Sequence, residues 1–306
     1  MLNTLDRRQS PELAAEALNL LGGILYRQGD DAAASRAVYE SLSIYQIHGN
    51  RSGAAAAYAN LGILDAQRQE LEAAYDNFAL SLGIREALGD SAGIAITRNN
   101  LGQLARNRGQ FAEAIHHLQV AAETARNSEL TQWLAQSLAN LGQALTLAGQ
   151  TDNALATLQE AEVLCQSYRF KNLLCEVKWK QADNLIEANA LEAAEKHAIA
   201  ALQLAVELES RDLQSEARRA LGRICRKQGE LESALEALQA AWETRREDPS
   251  PLVRARFAAE YALVLSAANR PEEAARLLQE HVTPINLPES QTTLQEISAV
   301  LAQVGG

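Results

Sequence analysis

The feature that most constrains this chain is a repeat. The segment NLGILDAQRQELEAAYDNFALSL from residue 60 aligns without a gap with NLGQLARNRGQFAEAIHHLQVAA from 100 and NLGQALTLAGQTDNALATLQEAE from 140. Carrying that forty-residue register in both directions gives Leu21-Gly22, Leu61-Gly62, Leu101-Gly102, Leu141-Gly142 and Leu221-Gly222, with Gln181-Ala182 and Tyr261-Ala262 as degenerate members. A chain repeating at this period stacks one supersecondary unit on the next, so its core lengthens with the array instead of closing around one centre.

Other columns define the unit. Alanine stands at 34, 74, 114, 154, 194, 234 and 274, where a small residue lets two helices approach. Between the Leu-Gly and alanine columns lie Gly29, Gly109, Gly149 and Gly229, with Asn189 and Asn269, all tolerant of a left-handed turn; only Gln69 departs. The composition, rich in Ala, Leu, Gln and Glu and poor in Pro and aromatics, favours helix throughout. Each unit therefore reads as helix A, a tight turn and helix B, with a short polar loop to the next. The boundaries are approximately 15–54, 55–94, 95–134, 135–174, 175–214, 215–254 and 255–284, within an array spanning 11–284. Residues 1–10 form a tail, with Ser10-Pro11 placed to open the first helix. Residues 285–306 supply a linker, a last helix that Ser290 can cap, with Leu294, Ile297, Val300 and Leu301 on one stripe, and a Gly-Gly tail.

Leu-Gly early in helix A, glycine at the turn, alanine in helix B and a large apolar residue four positions later (Val38, Phe78, Leu118, Leu158, Leu238, Leu278) resemble the tetratricopeptide repeat. The period is similar to the longer variety in kinesin light chains, LGN/Pins-class adaptors and bacterial sensor arrays. The resemblance implies an all-α solenoid, a right-handed superhelix of seven antiparallel helix hairpins with a C-terminal capping helix, whose A helices line a concave groove. Departures gather in unit 5, where Gln181-Ala182 replaces Leu-Gly and Ala198 takes the large-residue column, so a local change of packing is expected there.

Charge and motif content exclude several function classes. A net charge of −11 argues against a general polyanion binder. No apolar run approaches a membrane span, and MLNTLDRRQSPEL has no signal-peptide core, so the chain reads as soluble and cytoplasmic. Cys165, Cys175 and Cys225 form no C-x-x-C pair and suit a reducing compartment. Nucleotide-loop, zincin and nucleophile-elbow motifs are absent, and His116 and His117 diverge by about 100° on a helix, so they cannot chelate together. The expectation is a non-enzyme without cofactor or metal.

The stretch ARRALGRICRKQGEL, 217–231, concentrates basic residues in an acidic chain. On a helical wheel Arg219, Arg223 and Arg226 share one face with Glu216, opposite an apolar arc, so they are expected to open into the groove. Arg218 falls nearer the inter-repeat seam. Units 2 to 4 place amides on the same columns: Asn60, Asn100 and Asn140 before each Leu-Gly, with Asn99, Gln103, Gln136 and Gln143 nearby. An amide donates and accepts, so such a row can track a peptide backbone. The row is similar to the asparagine ladder of some tetratricopeptide proteins. Unit 5 adds Glu176, Trp179, Asp183 and Glu187, an aromatic plate edged with acid. Two readings of the basic cluster stand side by side: it faces an acidic partner, or it pairs with Asp183 and Glu187 across the seam. Trp179 likewise is either an open apolar anchor or a filler of the space left by the missing Leu-Gly.

The expected function is a protein–protein interaction module that holds an extended, partly acidic peptide segment of another protein. The groove set is Asn60, Asn99, Asn100, Gln103, Asn140, Gln143, Trp179, Asp183, Arg219, Arg223 and Arg226. The alternatives are the sensor or regulatory array of a larger signalling or transcription-regulating protein, and nucleic-acid contact through the unit 6 cluster. A capped array implies a monomer, and apolar end faces leave an end-to-end dimer open.

Overall fold

The computed structural model describes residues 10–285, 287–289 and 291–304. These form fifteen helices and no strand. The first three hairpins are α1 (Pro11–Arg27) with α2 (Asp31–Ile47), α3 (Arg51–Gln67) with α4 (Leu71–Leu88), and α5 (Ser91–Asn107) with α6 (Phe111–Asn127). The next three are α7 (Thr131–Leu147) with α8 (Thr151–Ser167), α9 (Lys171–Glu187) with α10 (Leu191–Glu207), and α11 (Arg211–Gln228) with α12 (Leu231–Arg245). The seventh is α13 (Pro251–Ala267) with α14 (Pro271–His281), after which α15 (Gln291–Val304) packs on both of its helices. Each helix contacts the next in sequence, and successive odd-numbered helices from α1 to α15 also contact one another. The odd-numbered helices are thus the tighter, inner layer of a solenoid.

A left-handed residue recurs every twenty positions and ends the helices. Within hairpins φ is positive at Gly29, Gln69, Gly109, Gly149, Asn189, Gly229 and Asn269; between hairpins it is positive at Gly49, Gly89, Glu129, Arg169 and Glu209. Gln69, the one departure in composition, takes the same conformation as its column, with φ of 63°. Tertiary packing of the flanking helices imposes the turn where the residue does not favour it. Position 249 breaks the rhythm because it is proline, whose ring fixes φ near −65°. There α12 stops at Arg245, and Asp248 organises the loop, accepting from Arg245 Nη1 at 2.7 Å and from the Ser250 amide at 2.9 Å.

Inside each hairpin the columns fit by size. The seven column alanines are all 0 % exposed. A Cβ added to Gly142 would meet Leu158 Cγ at 2.5 Å, and one on Gly102 or Gly222 would meet Leu118 or Leu238 at 2.5 or 2.4 Å. Glycine here makes room for the large residue sixteen positions on. Unit 5 reverses the trade: Ala182 replaces glycine and faces the small Ala198, both fully buried. Gln181, in the leucine column, is also buried, and its Nε2 donates to Glu162 Oε2 at 2.8 Å. In α15, Ile297 and Val300 are buried and Leu301 packs against them, while Leu294 is exposed. Ser290, the expected cap, and the tails 1–9 and 305–306 lie outside the described residues.

Candidate functional site

The forty-residue columns converge on one cavity of about 270 Å³ along the inner helices. Gln103 of α5, Gln143 of α7, Asp183 of α9 and Arg223 of α11 occupy a single column and all line it. Two non-repeating pieces close it: Ser250, Leu252 and Val253 at the α12–α13 junction, and Leu287-Pro288-Glu289 between α14 and α15. A second cavity of about 160 Å³ lies between Ser250 and Leu252 on one side and Gln67, Asn100 and Gln103 on the other. The proline-broken loop therefore reaches the inner faces of α3 and α5.

Lateral hydrogen bonds connect the amide columns. Asn60 Nδ2 donates to Asn19 Oδ1 at 2.9 Å, and Asn140 Nδ2 to Asn99 Oδ1 at 2.9 Å. Asn140 Oδ1 in turn accepts from Lys180 Nζ at 2.9 Å. Asn99 and Asn140 are buried, so both serve to join neighbouring helices. Asn100 has no such partner, because the position that would match Asn19 and Asn99 is Ala59. Asn100 and Gln103 are half-buried, line cavity wall, and have no side-chain hydrogen bond among the described residues. Gln143 accepts from Arg106 Nη1 and donates no side-chain hydrogen bond among the described residues.

Of the two readings of the basic cluster, the arginines follow the pairing across the seam with Asp183 and Glu187, and the open basic face is corrected. Arg219 is 1 % exposed and Arg223 4 %. Asp183 takes both: Arg219 Nη2 lies 2.5 Å from Oδ2 and Arg223 Nη1 2.8 Å from Oδ1. Arg223 also meets Glu187 at 2.7 Å and Glu260 at 2.8 Å, Arg219 meets Glu216 at 3.2 Å, and Arg226 reaches Glu296 of α15 at 2.7 Å. Glu216 further pairs with Arg256. The reason is the burial itself, since a guanidinium taken out of water must find a carboxylate within the chain. Burial alone would raise the Asp183 carboxyl, but Arg219 and Arg223 outweigh it and hold it below the usual range. Burial would likewise lower Arg219, and Asp183 with Glu216 outweighs it, so its pKa rises.

Trp179 follows the filler reading and is packed wall, not an open anchor. It is 5 % exposed among Cys175, Ala201, Ala205 and Ala217, with Lys180, Arg219 and Arg256 over its ring at 5.4, 5.8 and 5.9 Å. Three cations against one indole ring help keep the charge network in place.

Several cavity residues escape a reading from the basic stretch alone. Arg106, half-buried, hydrogen-bonds Gln143 and Asn107 but has no carboxylate within salt-bridge distance among the described residues. Burial, reinforced by Arg256, pushes its pKa down to about 10. Lys180 and Glu260 could have been found, because they stand in the Asn60-Asn100-Asn140 column of units 5 and 7. Arg256 extends the Glu176-Glu216 column in the same way. Glu289 lies outside the repeat and had no sequence signal. Among the described residues no three His, Cys, Asp or Glu side chains are placed to hold a metal, and no helix is long and apolar enough to cross a membrane.

The period, the paired helices and the inner layer define a tetratricopeptide-repeat protein, and the chain belongs to that family. Models of the Tetratricopeptide repeat match residues 14–48, 53–127, 93–167 and 217–252, together more than half of the chain. No curated protein sequence matches it. Among solved structures it is similar to aspartyl phosphate phosphatase F from Bacillus subtilis, at 12 % identity and a TM-score of 0.72, over 90 % of this chain and 72 % of that one. NprR in complex with its cognate peptide NprX gives 13 % identity and 0.65, over 96 % and 89 % of the two chains. The Rap conjugation gene regulator of plasmid pLS20 in complex with the Phr* peptide gives 11 % and 0.65, over 96 % of each. At these identities the likeness is one of fold.

Proposed function

We propose that this chain is a non-enzymatic interaction module that takes a short, extended segment of another protein into its inner groove. The observation that carries the reading is the single column Gln103-Gln143-Asp183-Arg223, which brings one polar side chain from each of four successive helices into one cavity. Within it, Gln103 and Gln143 retain free amide groups at repeat spacing, suited to the N–H and C=O groups of a peptide backbone. Two structural neighbours are crystallised with peptides, and one of these is named a conjugation gene regulator, which supports a peptide-responsive regulatory role here. One neighbour is named a phosphatase, but the wall of this groove is mostly amides and charges paired with one another, a lining suited to holding a segment.

The cavity sits at the lower end of ordinary ligand sites, which run from about 300 Å³. The segment held is therefore a few residues, or a chain end, unless the closing loops move aside. Nucleic-acid contact through the unit 6 cluster loses its basis, because Arg219, Arg223 and Arg226 already have carboxylates within the chain.

The test is selection from a synthetic hexapeptide library on immobilised protein, with the double variant Gln103→Leu, Gln143→Leu alongside. Peptides retained by the wild type and lost from a folded double variant are expected. Retention that ignores both glutamines places binding elsewhere and overturns the reading.

A further inference from the structure

The cavity holds two unpaired charges of opposite sign. Among the described residues Arg106 of α5 has only amide partners, whereas every other guanidinium lining the cavity, Arg219, Arg223 and Arg256, has a carboxylate within 4 Å. Glu289, on the segment between α14 and α15, lines the same cavity and has no salt-bridge partner among the described residues. The two act on each other electrostatically without touching, and Arg256 repels Arg106. Leu287 is buried in the C-terminal core, which fixes the segment from which Glu289 reaches in.

Half-buried charges without partners are costly, and a guanidinium fork donates two parallel N–H bonds to the oxygens of a carboxylate. We propose that Arg106 is the recognition point for a carboxylate on the incoming segment, and that Glu289, which lines the same cavity and attracts Arg106 without touching it, competes with that carboxylate while the groove has no ligand. The assignment rests on the groove reading and adds to it both a ligand chemistry and an internal competitor. An acidic segment entering the cavity satisfies Arg106 and relieves its repulsion with Arg256, and Glu289 withdraws toward solvent. Partner acidity is thus read by a residue of unit 3, while the arginines of unit 6 hold the wall.

Competition of this kind depends on pH. Glu289 faces Arg106 of α5, Lys180, Asp183 and Glu187 of α9, Arg219 and Arg223 of α11, and Arg256 and Glu260 of α13. Burial raises its pKa to about 7, against the opposing pull of Arg219, Arg223 and Arg256. Below that value Glu289 is neutral and a poor competitor, while the carboxylates of a peptide remain ionised.

The experiment uses two hexapeptide libraries, one with free and one with amidated C-termini, on wild type, Arg106→Gln and Glu289→Gln at pH 8 and pH 6. Enrichment of Asp or Glu at one position in both libraries identifies a side-chain carboxylate. Preference for the free C-terminus identifies a terminal one. Arg106→Gln should abolish whichever preference appears, with about tenfold weaker binding of the retained peptide. Glu289→Gln should tighten binding at pH 8 by about three- to tenfold, and the wild type should approach that affinity at pH 6 while the variant does not change. Should Arg106→Gln fail to fold, the Glu289→Gln comparison carries the test. Peptides retained without an acidic preference, or with one that survives Arg106→Gln, or affinities unmoved by Glu289→Gln, overturn this assignment and leave the groove reading standing. No retained peptide in either library overturns both.

Discussion

Units 2 to 4 and units 5 to 7 present the same columns to the same groove and use them in opposite ways. In the first region the lateral links are neutral, Asn60 to Asn19 and Asn140 to Asn99, and amides at Asn100, Gln103 and Gln143 keep bonding capacity to spare. In the second the columns carry full charges that consume one another: two arginines share Asp183, and Glu216 joins Arg219 to Arg256. A neutral amide can leave one valence open in a half-buried groove at modest cost, whereas a buried ion cannot. The difference teaches that density of charge in the sequence marks where this groove is braced, and sparser polar positions mark where it keeps bonding capacity unused.

The comparison breaks most readily at Asp183. Asp183→Ala leaves two buried guanidiniums short of a carboxylate and should cost about 3–5 kcal/mol, read as a fall in the urea midpoint. A loss no larger than that of a single amide link would show that the charged region is not the brace described here. Next in size, Gly142→Ala drives a methyl into Leu158 and should cost about 1–3 kcal/mol. Combining it with Leu158→Ala reproduces the Ala182–Ala198 pair of unit 5, so the double variant should lose less than the sum of the singles in a thermodynamic cycle.

Asn140→Ala removes an acceptor from Lys180 and a donor from Asn99, and should cost about 1–2 kcal/mol, visible as faster amide exchange in α7 and α9. For Glu289 the sign follows from a pKa raised to about 7 over an ordinary 4.5. The folded state prefers the protonated form, so its contribution is fully present below the unfolded pKa and is lost as pH rises through 7. Glu289→Gln should remove that loss, with a gain of about 1 kcal/mol at pH 8 and little change at pH 5, measured by urea melts at both. Arg226→Gln should do least, under about 1 kcal/mol, because its partner Glu296 is one-third exposed.

Much of the fold was legible in the columns. Leu-Gly, the alanine column and the turn residues make the pairing of helices legible, because each size constraint recurs at a fixed interval and reports direct helix-to-helix contact, though the hairpins run about four residues earlier than the units drawn from the columns. The twenty-residue clock was only half visible: Glu129, Arg169 and Glu209 adopt left-handed conformations without a composition that favours them. The groove was legible by face but not by exposure. A helical wheel shows that Arg219 and Arg223 point inward and the column offers Asp183 and Glu187 of α9 as partners, but it does not decide between pairing and exposure, and Glu260 of α13 became visible only by reading its column beyond the amides. The choice between anchor and filler for Trp179 was undecided for the same reason, since its neighbours lie on α10 and α11. Arg106 and Glu289 needed the structure, because one is single in its surroundings and the other lies beyond the last repeat.

The central claim, that the spare amides of the inner helices hold the ligand, is tested most directly by photocrosslinking. A benzoylphenylalanine at position 103, on the cavity wall, is compared with one at the exposed Val163 of α8, using a library-selected peptide. The account predicts a peptide adduct at 103 and none at 163. An adduct at 163, or none at 103 from a protein that still binds the peptide, would contradict it.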